Sequence, residues 1–184
     1  DAESQGVFWV DLPDLVSSAS EIQVQRGVGS STNGAGSFGA SVNLNLSKVD
    51  PEPFAVVSNT LGAFGTRKHT LQAGTGLLNG KLAFTARISG LYSDGYVDRA
   101  SVNLNAFHLS GAYLDEQQTF QVHLLSGHEI TYQAWNGLPA QYLDNEALRT
   151  FNSAGMEQPQ TPYPNQVDDY TQRHFLAHYK RTFS

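Results

Sequence analysis

Cysteine is absent from all 184 residues. Disulfides, thiolate zinc sites and cysteine nucleophiles are excluded with it. Positive charge is scarce: 11 Lys and Arg against 17 Asp and Glu leave a formal charge of −6. A nucleic-acid surface needs a basic patch. The two basic pairs, Arg67-Lys68 and Lys180-Arg181, read as solvated strand ends, so no nucleic-acid partner is expected. No run approaches the ~20 apolar residues of a membrane helix. The opening DAESQGVFWV lacks the basic and apolar regions of a signal peptide. Charged residues of both signs reach only 15 %, with Gly, Asn, Ser, Thr and Gln in their place. That balance suits a turn-rich β-protein or a barrel with a polar lumen.

Helix signals are few. DLPDLVSSAS predicts one short turn capped by Asp11 or Asp14, and NEALRTF near 145–151 predicts another. The rest alternates with period two, the mark of strands. EIQVQRG sets Ile22 and Val24 against Glu21, Gln23 and Gln25. SVNLNLS sets Val42, Leu44 and Leu46 against Asn43, Asn45 and Ser47. After Asp50-Pro51 the strands lengthen. FAVVSNTLG leads through AFG to TRKHTLQAGTGLL, with Leu71, Ala73 and Leu77 expected on one face. Asn79-Gly80 is the strongest short hairpin signal. In KLAFTARISGLYS, Leu82, Phe84, Ala86, Ile88 and Tyr92 oppose Lys81, Thr85, Arg87, Ser89 and Ser93. VNLNAFHLSGAYL has no single phase: Val102 and Leu104 fall on one parity, Phe107, Leu109 and Tyr113 on the other. TFQVHLLSG and RHFLAHYKR alternate again. Apart from AFG, the links run tight (NG), longer (DGYVDRA), tight (DEQQ), then very long (about 131–168). Membrane barrels have this asymmetry.

GAGSFG at 34–39 matches the letters of a dinucleotide-binding turn. That turn needs a helix after its last glycine and an acidic residue about 20 positions on. ASVNLNLS alternates as a strand instead, and Asp50 and Glu52 come too early. A structural glycine loop is the better reading. His174 and His178 are four apart, a metal spacing on a helix. On a strand that spacing separates them by ~13 Å, too far for one ion. Asp94 and Asp98 offer too few oxygens for calcium, and no G-x-S-x-G elbow is present.

EIQVQRGVGSSTNGAGSFGASVNLNL resembles the end of the plug domain of TonB-dependent outer-membrane receptors, particularly Bacteroidetes-like ones. The likeness lies in the strand ending in Arg26-Gly27, the small residues with Gly34, Gly36 and Gly39, and the closing strand Ser41-Val42-Asn43-Leu44. DAESQGVFWVDLPDL, SDGYVDRAS and GHEITYQAWNGLP resemble further segments of the same group. The resemblance implies a mainly β fold. Residues 1–49 would be the C-terminal part of a plug. Residues 50–184 would be the first five to six antiparallel strands of a large transmembrane β-barrel, incomplete and unable to close alone.

It further implies a lipid bilayer around the strands, an outer-membrane location, and a piece of a longer protein. The TonB complex would engage a segment upstream of Asp1. The cargo would be a small solute or metal chelate, such as a ferric chelate or cobalamin, with no cofactor and no covalent chemistry. In this family an arginine at the place of Arg26 pairs with wall glutamates and holds the plug. Gly27, Gly34, Gly36 and Gly39 would give the plug its turns and close packing. Gln5, Phe8, Trp9, Tyr132 and Trp135 are candidate solute contacts from above. Against that stand plug packing for Phe8 and Trp9, and an interfacial aromatic belt for Tyr132 and Trp135. The competing class is a soluble β-rich binding or adhesion module, which requires its apolar stripe to be buried.

Overall fold

Asn79 and Gly80 both take positive φ, 50° and 67°, as a type I′ turn demands. Lys81 N closes the turn by donating to Leu78 O at 3.0 Å. It is one of five links in an antiparallel meander. The computed structural model describes residues 12–27, 39–157 and 161–183. Strands β1 (Glu21–Arg26) and β2 (Ala40–Asn45) form a two-stranded sheet. The second sheet holds β3 (Phe54–Leu61), β4 (Arg67–Gly74), β5 (Leu82–Ser93), β6 (Val102–Leu114), β7 (Gln118–Tyr132) and β8 (Val167–Arg181), in chain order. The architecture is mainly β, with antiparallel sheets of six and two strands. Among the described residues no helix is long and apolar enough to cross a membrane.

The short turn expected near Asp14 is a 3₁₀ helix, Leu15–Ser18, entered through Asp14 in the left-handed region. No helix forms at 145–151. Leu148 N and Arg149 N both donate to Asn145 O, and the chain leaves the turn without propagating it. The neighbouring 3₁₀ turn lies upstream, at Ala140–Tyr142. Leu77 is not on the face of Leu71, because β4 ends at Gly74.

Directly paired residues on adjacent strands share a face, so the register sorts the larger sheet. One face carries Leu71, Ile88 and Phe107 in a single row, and Ala73, Ala86, Leu109, Leu124 and Phe175 in the next. At the tight-turn end, Leu82, Tyr113, Phe120 and Tyr179 form another row. The opposite face carries Gln72, Arg87 and His108 together, with Thr85, Ser110 and His123 beside them. Burial is inverted relative to a water-soluble core. Arg87, His108, Gln121, His123 and Glu129 are buried, while Phe84, Ile88, Leu109 and Phe175 stand exposed at 48, 57, 49 and 68 %. Scattered exposed leucines mean little, but buried charge beside a continuous exposed apolar band is informative.

The register also resolves β6. Phe107, Leu109 and Tyr113 lie on the apolar face, Val102 and Leu104 on the polar one. Links 62–66, 94–101 and 133–166 leave one end of the sheet; 75–81 and 115–117 leave the other. The last is braced by Asp115, whose Oδ1 accepts from Gln117 N at 2.9 Å and Gln118 N at 2.8 Å.

Candidate functional site

Residues 12–18 lie on the polar face. Pro13 seats directly over β7, where Gly127 has no side chain; a Cβ there would stand 2.7 Å from Pro13 Cδ. This seating brings Asp14 to three residues of β4 and β5, Lys68, Arg87 and Ser89. Asp14 Oδ2 accepts from Arg87 Nη1 at 2.6 Å and from Ser89 Oγ at 2.5 Å. Oδ1 accepts from Lys68 Nζ at 2.5 Å and from Ser17 Oγ. Arg87 also donates through Nη2 to Asp14 O at 3.0 Å and through Nε to Ser18 Oγ at 2.8 Å. Arg87 is 2 % exposed. A guanidinium so buried must be paired, and here one carboxylate, one carbonyl and two hydroxyls satisfy it. Burial pushes the Asp14 carboxyl up. Hydrogen bonds from Lys68, Ser17 and Ser89 and the charge of Arg87 outweigh burial and hold it below its ordinary value.

The arrangement is a two-sided clamp, with the anion on the N-terminal segment and the cations on the sheet. The polar face continues from it. His108, paired with Arg87 in register, has Nε2 3.2 Å from His123 Nδ1. Gln121 Nε2 donates to Ser47 O at 2.9 Å, tying the linker after β2 to the same face. His174 and His178 also lie on this face, on β8. Among the described residues no group of three or more metal-type side chains is placed to hold an ion.

Among the residues singled out from the sequence, Arg26 ends β1, is exposed, and has no carboxylate partner among the described residues. Gly27 has φ 75°, a left-handed backbone that favours glycine, and donates to Gly39 O at 2.8 Å, extending the β1–β2 pairing. Nothing among the described residues lies within 4 Å of a Cβ built on Gly27 or Gly39. The positive φ explains a glycine at position 27. Ala40–Asn45 is a strand, so Gly39 does not open a helix. Gln5, Phe8, Trp9, Gly34 and Gly36 lie outside the described residues.

Tyr132 and Trp135 separate. Tyr132 is buried, donates through its hydroxyl to Tyr163 O, and lies 5.7 Å under Arg99 Cζ. It anchors the long 133–166 connection. Trp135 is 74 % exposed and open to contact. Buried Asn152 binds the long connection to its neighbour: Nδ2 donates to Asp98 O and Gln133 O, both at 3.0 Å, while Arg99 Nη2 donates to Asn152 O at 2.6 Å. The clamp at Asp14 went unread in the sequence, where Asp14 looked like a helix cap. The available signal was Arg87 in the middle of a strand whose other face is apolar.

No model of a known protein family matches the chain, and no curated protein matches it.

Proposed function

We propose that this chain is the end of the plug and the first barrel strands of a TonB-dependent outer-membrane transporter, taking up a scarce solute such as a ferric chelate or cobalamin. Residues 1–49 belong to the plug and 50–184 to the wall. The observation carrying this reading is the inverted sheet, with its band of exposed Phe, Ile and Leu on one face and buried Arg, His and Gln on the other. A barrel wall alternates apolar-out and polar-in in this way. Strands β5 to β8, of 12 to 15 residues, exceed the ~9–11 that cross a bilayer. The Leu82, Tyr113, Phe120, Tyr179 row fits an aromatic girdle on the tight-turn side. Open edges at β3 and β8 are where further strands pair. The segment 12–18, clamped on the polar face, is the plug meeting the wall, and Asp14 takes the holding role that the resemblance gave to Arg26.

The test uses the full-length gene product. It is expected in the outer-membrane fraction, and Ile88→Arg is expected to destabilise the assembled barrel by ~2–4 kcal/mol. At an exposed position of a soluble protein the same change stays within about 0.5 kcal/mol. Cytosolic fractionation, or an Ile88→Arg protein with unchanged denaturant midpoint, overturns the reading in favour of a soluble β-rich binding module.

A further inference from the structure

The clamp at Asp14 is built asymmetrically. Three of its donors belong to the sheet: Arg87 Nη1 and Ser89 Oγ reach one carboxylate oxygen at 2.6 and 2.5 Å, and Lys68 Nζ reaches the other at 2.5 Å. They bring two positive charges. Their partners in register on the polar face are Thr60, Thr70, Gln72, Leu91, Ala106 and His108, none of them acidic. Among the described residues, the one carboxylate in ion-pair contact with either cation is carried by the 12–18 segment. Beside the donors lies a small apolar recess that Leu12, Pro13 and Leu15 share with Ala106, Leu125 and Gly127. Ser89, Ala106 and Gly127 stand in one row across β5, β6 and β7. The carboxylate end and the apolar end of the seat are thus two strand spacings apart, ~10 Å.

Lifting 12–18 off the sheet leaves the three donors and the apolar floor in place and takes away the counter-charge of Arg87. Charges on a low-dielectric surface call for a partner. We propose that this seat is a binding site for a carboxylate-bearing solute with a compact apolar body, and that Asp14 and Pro13 occupy it in the solute's stead. The sheet aims its donors at two oxygens, the complement of a carboxylate. Solute and segment compete for the same side chains. Exchange conserves the charge-assisted hydrogen bonds, so the incoming carboxylate offsets the loss of Asp14 and shifts the population toward the undocked segment. This deepens the transporter reading above, on which it rests for the solute's route to the seat. It adds the chemistry of the solute and makes the contact between segment and sheet responsive to cargo.

The probe is N-acetyl-prolyl-aspartate amide, which carries the ring and the carboxylate of Pro13-Asp14. Full-length protein in detergent is titrated with it at constant ionic strength. Hydrogen exchange is followed at the amides of Ser17 and Ala19, which donate to Asp14 O and Val16 O. A group on a short tether acts at a millimolar effective concentration, so a free competitor must be supplied at ~10 mM or more. We expect at least fivefold faster exchange with the aspartate probe and no change with its asparagine analogue or with inorganic phosphate. In Asp14→Asn, which leaves the sheet intact, equilibrium dialysis should find the probe bound at least tenfold more tightly than by wild type. Adding Lys68→Met, at a side chain 26 % exposed, should weaken that binding at least fivefold. Unchanged exchange with the aspartate probe, an equal response to the asparagine analogue or to phosphate, or no gain in Asp14→Asn overturns the proposal. Absence of the full-length protein from the outer membrane defeats the transporter reading instead, a failure that the exchange and dialysis results do not share.

Discussion

Asp14→Ala removes the only carboxylate that pairs with Arg87 among the described residues. Arg87 keeps Ser18, Ser89 and the Asp14 carbonyl as acceptors, yet its charge, 2 % exposed, is left uncompensated. Breaking a buried pair from one side costs about 3–5 kcal/mol. Lys68, at 26 % exposure, can turn to water and contributes at the surface-pair level, below ~1 kcal/mol. The docking equilibrium of residues 12–18 should thus fall by roughly 10² to 10³·⁵. Hydrogen exchange of the full-length protein reads this directly at the amides of Ser17 and Ala19, which donate to Asp14 O and Val16 O. The double variant Asp14→Leu/Arg87→Met should recover most of the protection, because an apolar pair of similar volume replaces a buried ion pair at little cost.

Acid should mimic the single variant. The folded carboxyl lies below its ordinary value of 3.8, so its contribution is complete above about pH 4 and lost as pH falls through the folded value. Protection should be flat from about pH 5 to 8 as far as this group is concerned. A loss in Asp14→Ala below ~1 kcal/mol, or a double-variant cycle with coupling under ~0.5 kcal/mol, would refute the clamp.

Gly127→Ala places a methyl 2.7 Å from a proline ring that cannot rotate away; undocking of 12–18 by ~1–3 kcal/mol is expected, checked by the same exchange measurement. Asn152→Ala, at a side chain 2 % exposed, abandons two carbonyls at ~1–3 kcal/mol, and limited proteolysis within 133–166 should accelerate while β3–β7 stay protected. Asp115 is held at about 2, first by the Gln118 side chain and then by the backbone N–H of Gln117. An NMR titration should find its midpoint there, and Gln118→Ala should raise it toward the ordinary value of 3.8.

The strands were legible because one rule, period two, applies wherever a sheet separates two environments. Leu82 to Ser93 and the Asn79-Gly80 turn followed from that rule and from turn chemistry. The β6 ambiguity has a physical cause. Near its start the strand places Asn103 and Asn105 on the apolar face, while Val102 and Leu104 supply apolar residues to the other side. A single-phase template fails on such a strand. The clamp was illegible for a different reason: Asp14 meets Lys68 and Arg87 across 54 and 73 positions of chain, and no local pattern carries that. Tyr132 and Trp135, three apart and alike in type, part company because a hydrogen bond to Tyr163 draws one inward. NEALRTF has the composition of a helix but only seven residues, too few to offset the cost of nucleating one.

The meander has a consequence in time. Every strand of the larger sheet pairs with its sequence neighbour, so hairpins can zip in succession without waiting for distant partners. The exception is β8, tethered to β7 through 133–166. Closing that span in place of the three-residue 115–117 turn adds ~2 kcal/mol of chain entropy. Asn152, by fastening the middle of the span to Asp98 and Gln133, divides one long search into two shorter ones. The last described strand to join would then be admitted by an asparagine.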